Sequence, residues 1–224
     1  MYQDAIEHVK NSIFPVFFKV QQGPQPRIGV SGTAFFVDDE GLFVTASHVA
    51  EGIPQGATLF YAGNVPYTPI NQPIDIEEVF SDTEKDIFIG RVDSDYLPGL
   101  SFSDEAVRPG KSLCLSGYPL SRLSQDPDGT INVSNVRTYW QPTFAIDGIE
   151  ANINNKAYKG FMTQHTSLRG MSGGPVFDDE GIVFGMDVAT LTRKIPNPDN
   201  TETVVPNGVA IEVSVIEEVI DSIE

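Results

Sequence analysis

Arg169-Gly170-Met171-Ser172-Gly173-Gly174-Pro175-Val176 is the stretch on which the reading of this sequence turns. Glycines on both sides of a serine let the backbone turn tightly and leave the hydroxyl exposed. They also let backbone N–H groups face one small space, which is what a tetrahedral oxyanion requires. A purely structural glycine-rich turn has the same composition, so partners elsewhere in the chain decide its meaning. Two contexts supply them. In Phe43-Val44-Thr45-Ala46-Ser47-His48-Val49 a histidine stands just past the end of an apolar strand, where a turn presents it to solvent. In Lys85-Asp86-Ile87-Phe88-Ile89-Gly90-Arg91-Val92 an aspartate directly precedes another such strand, which draws its carboxylate to the edge of the core. A buried carboxylate that accepts an imidazole N–H fixes the tautomer and stabilises the imidazolium.

Chain order then separates the serine-hydrolase folds. Gly170-Met171-Ser172-Gly173-Gly174 also satisfies the G-x-S-x-G nucleophile elbow, but in that fold the histidine follows the serine. The three histidines here are His8, His48 and His165, and none follows Ser172. The subtilisin order, with an aspartate before the histidine in an α/β scaffold, finds no alternating helices to support it. The order His48, Asp86, Ser172 remains.

Working outward, strand signals dominate. Apolar or alternating runs lie at 15–20, 28–37, 42–46, 57–61, 74–80, 87–92, 112–117, 131–140, 158–163, 175–177, 182–189 and 209–213. Turn-rich spacers at fairly regular intervals point to an all-β sandwich or barrel rather than to βαβ units. Residues 4–11 predict a short N-terminal helix, and the spacing of Val215, Ile216, Val219, Ile220 and Ile223 predicts a C-terminal one. Residues 97–110, with Pro98-Gly99 and Pro109-Gly110, read as a linker between halves, giving units of 1–100 and 101–224. Residues 121–130 and 193–208 read as long loops. Asp-Asp-Glu-Gly occurs twice, at 38–41 and 178–181, as a turn between apolar strands.

The chain has 224 residues and a net charge of -17, so it repels phosphate backbones and anionic lipid headgroups. Nucleic-acid and membrane partners are therefore not expected, and neither are a metal or a cofactor. A single cysteine, Cys114, excludes an intrachain disulfide; with no basic, apolar leader at the N-terminus, it sets the expected location as cytoplasmic. In the apolar run Leu113-Cys114-Leu115 the thiol reads as a buried small hydrophobe.

The three motifs together resemble the trypsin-like serine peptidases, and among them the single-chain bacterial members of the HtrA and glutamyl-endopeptidase groups. Thr45-Ala46-Ser47-His48 is similar to the family's Thr-Ala-Ala-His, Asp86-Ile87-Phe88-Ile89 to its Asp-Ile-Ala-Leu, and Gly170-Met171-Ser172-Gly173-Gly174-Pro175 to its Gly-Asp/Asn-Ser-Gly-Gly-Pro. The resemblance spans about residues 12–215. It implies two six-stranded antiparallel β-barrels, with His48 and Asp86 from the first and Ser172 from the second. It also implies an oxyanion hole from the N–H groups of Gly170 and Ser172, and a protein or peptide substrate. Thr166, Ser167 and Leu168 would form one wall of the primary specificity pocket, and Asp187, Val188 and Ala189 the other. With Thr166 at its base, a small to medium uncharged residue before the cut is expected. Met171 departs from the usual Asp or Asn, which secreted relatives pair with a newly cut N-terminus. Asp187 is anomalous, because the matching residue often bonds the triad aspartate and two adjacent carboxylates do not both ionise easily. It is expected to point elsewhere or to hold a proton. The alternatives are a binding module on the same fold and an esterase using the same residues. Oligomeric state is not legible.

Overall fold

In the computed structural model of the chain, which describes residues 2–23, 26–63, 73–94, 97–121, 123–125, 131–132 and 136–223, the apolar runs become two antiparallel β-structures. A first sheet is built from β1 (Ile13–Gln21), β2 (Pro26–Phe36), β3 (Leu42–Thr45), β4 (Thr58–Tyr61), β5 (Ile74–Asp75), β6 (Glu77–Asp82) and β7 (Ile87–Arg91), in the spatial order β5-β4-β1-β2-β3-β7-β6. The second part uses β8 (Ser112–Gly117), a two-stranded ribbon of β9 (Ser124–Gln125) and β10 (Ile131–Asn132), then β11 (Tyr139–Ile153), β12 (Lys156–Thr163), β13 (Pro175–Phe177), β14 (Val183–Pro196) and β15 (Glu202–Glu212). Here the strands close into a six-stranded barrel, β11-β12-β15-β14-β13-β8. The all-β, double-barrel-like arrangement is the expected one, and the second barrel has the expected six strands; the first half, among the described residues, is a seven-stranded sheet where six strands were expected.

Short helices flank and punctuate it: α1 (Gln3–Val9), α2 (Ser47–Glu51) and α3 (Val213–Asp221). α1 buries Ala5 and Val9, while Ile13 opens β1 rather than extending the helix. α3 buries Val213, Val215, Ile216 and Val219, the apolar face its sequence spacing predicts. No helix among the described residues is long and apolar enough to cross a membrane.

One apolar core runs through both halves, from Phe14, Phe36 and Phe43 to Tyr118, Phe177 and Val183. In the first half Phe14 stacks on Phe36 at 4.6 Å and meets Phe43 and Tyr61 edge-on, as ring quadrupoles favour. Burying each such side chain stabilises the fold by roughly 2–3 kcal/mol. A smaller cluster inside the second barrel includes Leu113, Val176, Phe184 and the wholly buried Met171. The departure at Met171 thus has a packing role: an apolar side chain fills the barrel where a carboxylate would require a charged partner. Residues 100–103 stitch the halves, with Leu100 N–H donating to Phe36 O (2.9 Å) and Ser103 N–H to Val183 O (2.9 Å).

Two segments differ from expectation. Residues 193–208 are not a long loop but the outer rungs of the β14–β15 hairpin and its short connecting turn at 197–201, with Arg193 opposite Val205 and Pro196 opposite Glu202. Pro198 lies in the connecting turn and Pro196 on the last rung before it, while Pro206 faces Thr192. β11 runs for 15 residues, mostly through a stretch where no strand was expected, and a bulge between Ala145 and Asp147 interrupts its pairing with β12. Most of the loop expected at 121–130 lies outside the described residues. The two Asp-Asp-Glu-Gly turns are built alike: Asp38 Oδ1 accepts the N–H groups of Glu40 and Leu42, and Asp178 Oδ1 those of Glu180 and Ile182.

Candidate active site

α2 begins where β3 ends, so His48 sits in its first turn, half-exposed, rather than on an open turn. Asp86 precedes β7 in the left-handed backbone region (φ 60°), which aspartate tolerates better than most residues. The carboxylate is fully buried. His48 Nδ1–H donates to Asp86 Oδ2 (2.8 Å) and lies 3.1 Å from Oδ1, while the His48 backbone N–H donates to Oδ1 (3.0 Å). An ionised carboxylate only accepts, so the proton resides on Nδ1 and the Nε2 lone pair is free.

Three further donors reach Asp86, and none was evident in the sequence. Ser47 Oγ–H donates to Oδ1 (3.0 Å), Tyr158 O–H to Oδ2 (2.8 Å), and the Lys156 ammonium pairs with Oδ1 (2.9 Å). Lys156 also donates to Ser47 Oγ (2.8 Å) and Thr83 O (3.1 Å). Lys156 and Tyr158 belong to β12 of the second barrel, so they clamp an aspartate of the first across the boundary. Burial alone would raise the Asp86 carboxyl; the hydrogen bonds and charge of His48 and the bond from Lys156 outweigh it and hold the group well below the usual carboxylate range.

Ser172 comes from the second barrel and is seated by Thr33 of β2. Thr33 N–H donates to Ser172 O (2.9 Å), its hydroxyl donates to Gly170 O (2.7 Å) and accepts from Tyr118 N–H (3.0 Å), and its carbonyl accepts from Thr45 Oγ1 (2.6 Å). Gly173 packs so tightly here that a Cβ would lie 2.1 Å from both Thr33 O and Thr45 Oγ1, and its φ is +86°. Only glycine fits. Gly170 has φ +102°, and Met171 N–H closes a turn onto Leu168 O (2.9 Å), the signature of a type II turn. Arg169 O is taken by Leu120 N–H (3.0 Å), which turns the next N–H the other way. Among the described residues the N–H groups of Gly170 and Ser172 have no acceptor in the protein, and no hydrogen bond joins His48 to Ser172.

The expected pocket residues divide. Ser167 Oγ donates to Asp187 Oδ2, and Thr190 Oγ1 caps Ser167 O (3.4 Å). Asp187 is fully buried, its N–H and C=O pair with Gly174 O and Gly173 N–H, and its Oδ1 has no partner among the described residues. Burial pushes this carboxyl up to about 7, against the Ser167 bond and the proximity of His48. Thr166, Leu168 and Ala189 are half-buried and Val188 is buried. His165 is exposed; its N–H donates to Thr143 Oγ1 (3.1 Å) and its carbonyl accepts from Gly208 N–H (3.0 Å). Among the described residues no cluster of three or more His, Cys, Asp or Glu is placed to hold a metal ion.

Known proteins resemble the chain in sequence and in fold. Residues 32–186 match the trypsin-like peptidase domain. The chain is 26% identical over 164 residues to a probable periplasmic serine endoprotease, DegP-like, of Halomonas elongata, covering 72% of this chain and 30% of that protein. It is 23% identical over 167 residues to the putative serine protease HhoB of Synechocystis, covering 74% and 36% respectively. The chain therefore spans about a third of the length of these curated relatives. Among solved structures, the HtrA-type protease AlgW with a decapeptide superposes with a TM-score of 0.72 at 18% identity, covering 100% of this chain and 67% of that one. The active form of the Rv3671c protease of M. tuberculosis gives 0.63 at 19% identity, with coverage of 94% and 81%.

One expectation falls. The cytoplasmic assignment is contradicted by relatives in Halomonas elongata and two Chlamydia species that are named periplasmic. Cys114 explains why the cysteine count misled: the thiol is buried, and burial pushes it up to about 12, so a lone inert thiol suits an oxidising compartment as well as a reducing one.

Proposed function

The chain belongs to the trypsin-like peptidase domain family, and from that membership we propose that it is a serine endopeptidase with Ser172 as nucleophile, His48 as base and Asp86 as orienter. The observation that carries this reading is the 2.8 Å bond from His48 Nδ1 to a buried, ionised Asp86, beside a serine held in a glycine turn. Ser172 Oγ attacks the scissile carbonyl and forms the C–O bond of a tetrahedral intermediate while His48 Nε2 takes its proton. The N–H groups of Gly170 and Ser172 receive the oxyanion, and their lack of internal acceptors among the described residues suits them to it. The C–N bond then breaks as His48 returns the proton to the leaving amine, and water repeats the sequence on the acyl-enzyme.

Thr166, Ser167, Leu168, Val188 and Ala189 are assigned to the primary pocket. Asp187 is assigned as a neutral acid that braces the Ser167 wall. The chain divides into units 1–100 and 101–224, one carrying the acid–base pair and the other the nucleophile. Its substrate is a protein or peptide; the charge of -17 disfavours nucleic acid and anionic membrane. Following its named relatives, it acts outside the cytoplasm.

Digestion of an unfolded protein substrate by wild type and Ser172→Ala tests this. The proposal expects new N-termini from the wild type alone. Cleavage of a p-nitrophenyl ester without any amide cleavage would favour the esterase, and neither activity would favour the binding module.

A further inference from the structure

We propose that a cleft beside the oxyanion loop binds an acidic segment on the leaving-group side of the scissile bond, an inference that rests on the peptidase reading above. The cleft holds about 390 Å³ and opens at Gly170. Its lining includes Arg27 and Ser31 of strand β2, together with Pro54, Tyr118 and Arg169.

Its position accords with the chemistry. His48 returns a proton to the leaving amine, so the departing chain lies against α2 and the residues beyond its C-terminus. Gly52 and Pro54, just after α2, line this cleft. The pocket assigned to the residue before the cut is built instead from residues 166–168 and 187–189, and none of these lines the cleft.

Its charge sets it apart. The chain has 31 acidic and 14 basic residues, and three further surface clefts are each lined by two or more carboxylates. The cleft at Gly170 has two arginines and, among the described residues, no carboxylate in its lining. Both arginines are exposed, and neither has an ion-pair partner among the described residues. Glu51, the acid on α2, lies 3.8 Å from Lys156 and is absent from the lining. Guanidinium groups accept carboxylates through paired N–H donors, so two of them in one groove select Glu or Asp over Lys or Arg. Within a surface of -17 this groove is a local exception, and an acidic leaving segment is the ligand that corrects it.

Decapeptides sharing one cleavage site, with Glu, Ala or Lys in the positions just after it, are digested by wild type and by Arg27→Gln/Arg169→Gln. The expected kcat/KM is about tenfold higher for Glu than for Lys in wild type, falling to within about twofold in the double variant. Arg27→Glu/Arg169→Glu reverses the order. No preference in wild type, or a preference for Lys, overturns the inference and leaves the peptidase reading intact. Binding of the same peptides to Ser172→Ala, read by fluorescence anisotropy, needs no turnover. Tighter binding of the Glu peptide without wild-type cleavage would retain the cleft and sink the peptidase reading; equal binding overturns the cleft.

Discussion

Asp86 and Asp187 are both fully buried, yet their surroundings drive them in opposite directions. Asp86, just before β7 of the first sheet, is met by His48, Ser47, Tyr158 and Lys156, and stays ionised. Asp187, on β14 of the second barrel, has among the described residues one side-chain donor and no partner for Oδ1, and its carboxyl rises to about 7. Burial is the shared cost; the number of donors decides the protonation state. The carboxylate bonded to His48 is given a charge, and the one behind the Ser172 turn keeps its proton up to about pH 7.

The largest effect comes from erasing the charge on the first carboxylate. Asp86→Asn should lower kcat by about 10⁴-fold, because the amide no longer fixes the Nδ1–H tautomer. A loss below about tenfold in a correctly folded variant would remove Asp86 from the orienting role.

Next is the second carboxylate, read through stability. Its pKa is raised, so the folded state keeps a proton that the unfolded chain releases near pH ~4. Stability therefore falls as pH rises from about 4 to 7, by up to about 1.4 kcal/mol per unit, and levels off above. Asp187→Asn should remove that slope, so its Tm advantage over wild type widens between about pH 5 and pH 8. Parallel Tm–pH curves would show that Asp187 ionises freely. Asp86 has the opposite sign: its contribution persists through this window and is lost only when pH falls through its depressed folded value.

A smaller effect tests the clamp. Lys156→Met removes a cation 2.9 Å from Asp86, so the carboxylate holds an imidazolium more strongly. The acid limb of kcat/KM should move to higher pH by up to about one unit, with about tenfold lower activity near pH ~5. Lys156→Arg should retain most of the wild-type profile. An unshifted limb in Lys156→Met would make the lysine structural only. Smallest is Tyr158→Phe, expected to cost about 1 kcal/mol of stability by calorimetry and only a few-fold in kcat.

The same contrast explains what the sequence disclosed. His48, Asp86 and Ser172 were legible because each lies in a short local pattern whose chemistry depends on its immediate neighbours. The closing helix α3 was legible for the same reason, through its apolar spacing. Lys156, Tyr158 and Thr33 were not, because they meet the site only through side-chain and loop contacts between segments remote in the chain. Thr33 seats Gly170 and Ser172 from the opposite barrel, and Lys156 reads locally as a hairpin-turn lysine. The rungs at 193–208 stayed hidden because their prolines read as loop until β15 supplies a partner strand.

The measurement that tests the central claim most directly is the rate of labelling by a fluorophosphonate across pH, with wild type beside Ser172→Ala and Asp86→Asn. An activated serine predicts one stoichiometric label on Ser172, none in Ser172→Ala, and a rate that collapses in Asp86→Asn. Folded wild type that takes no label, or Asp86→Asn that labels as fast as wild type, would contradict the account.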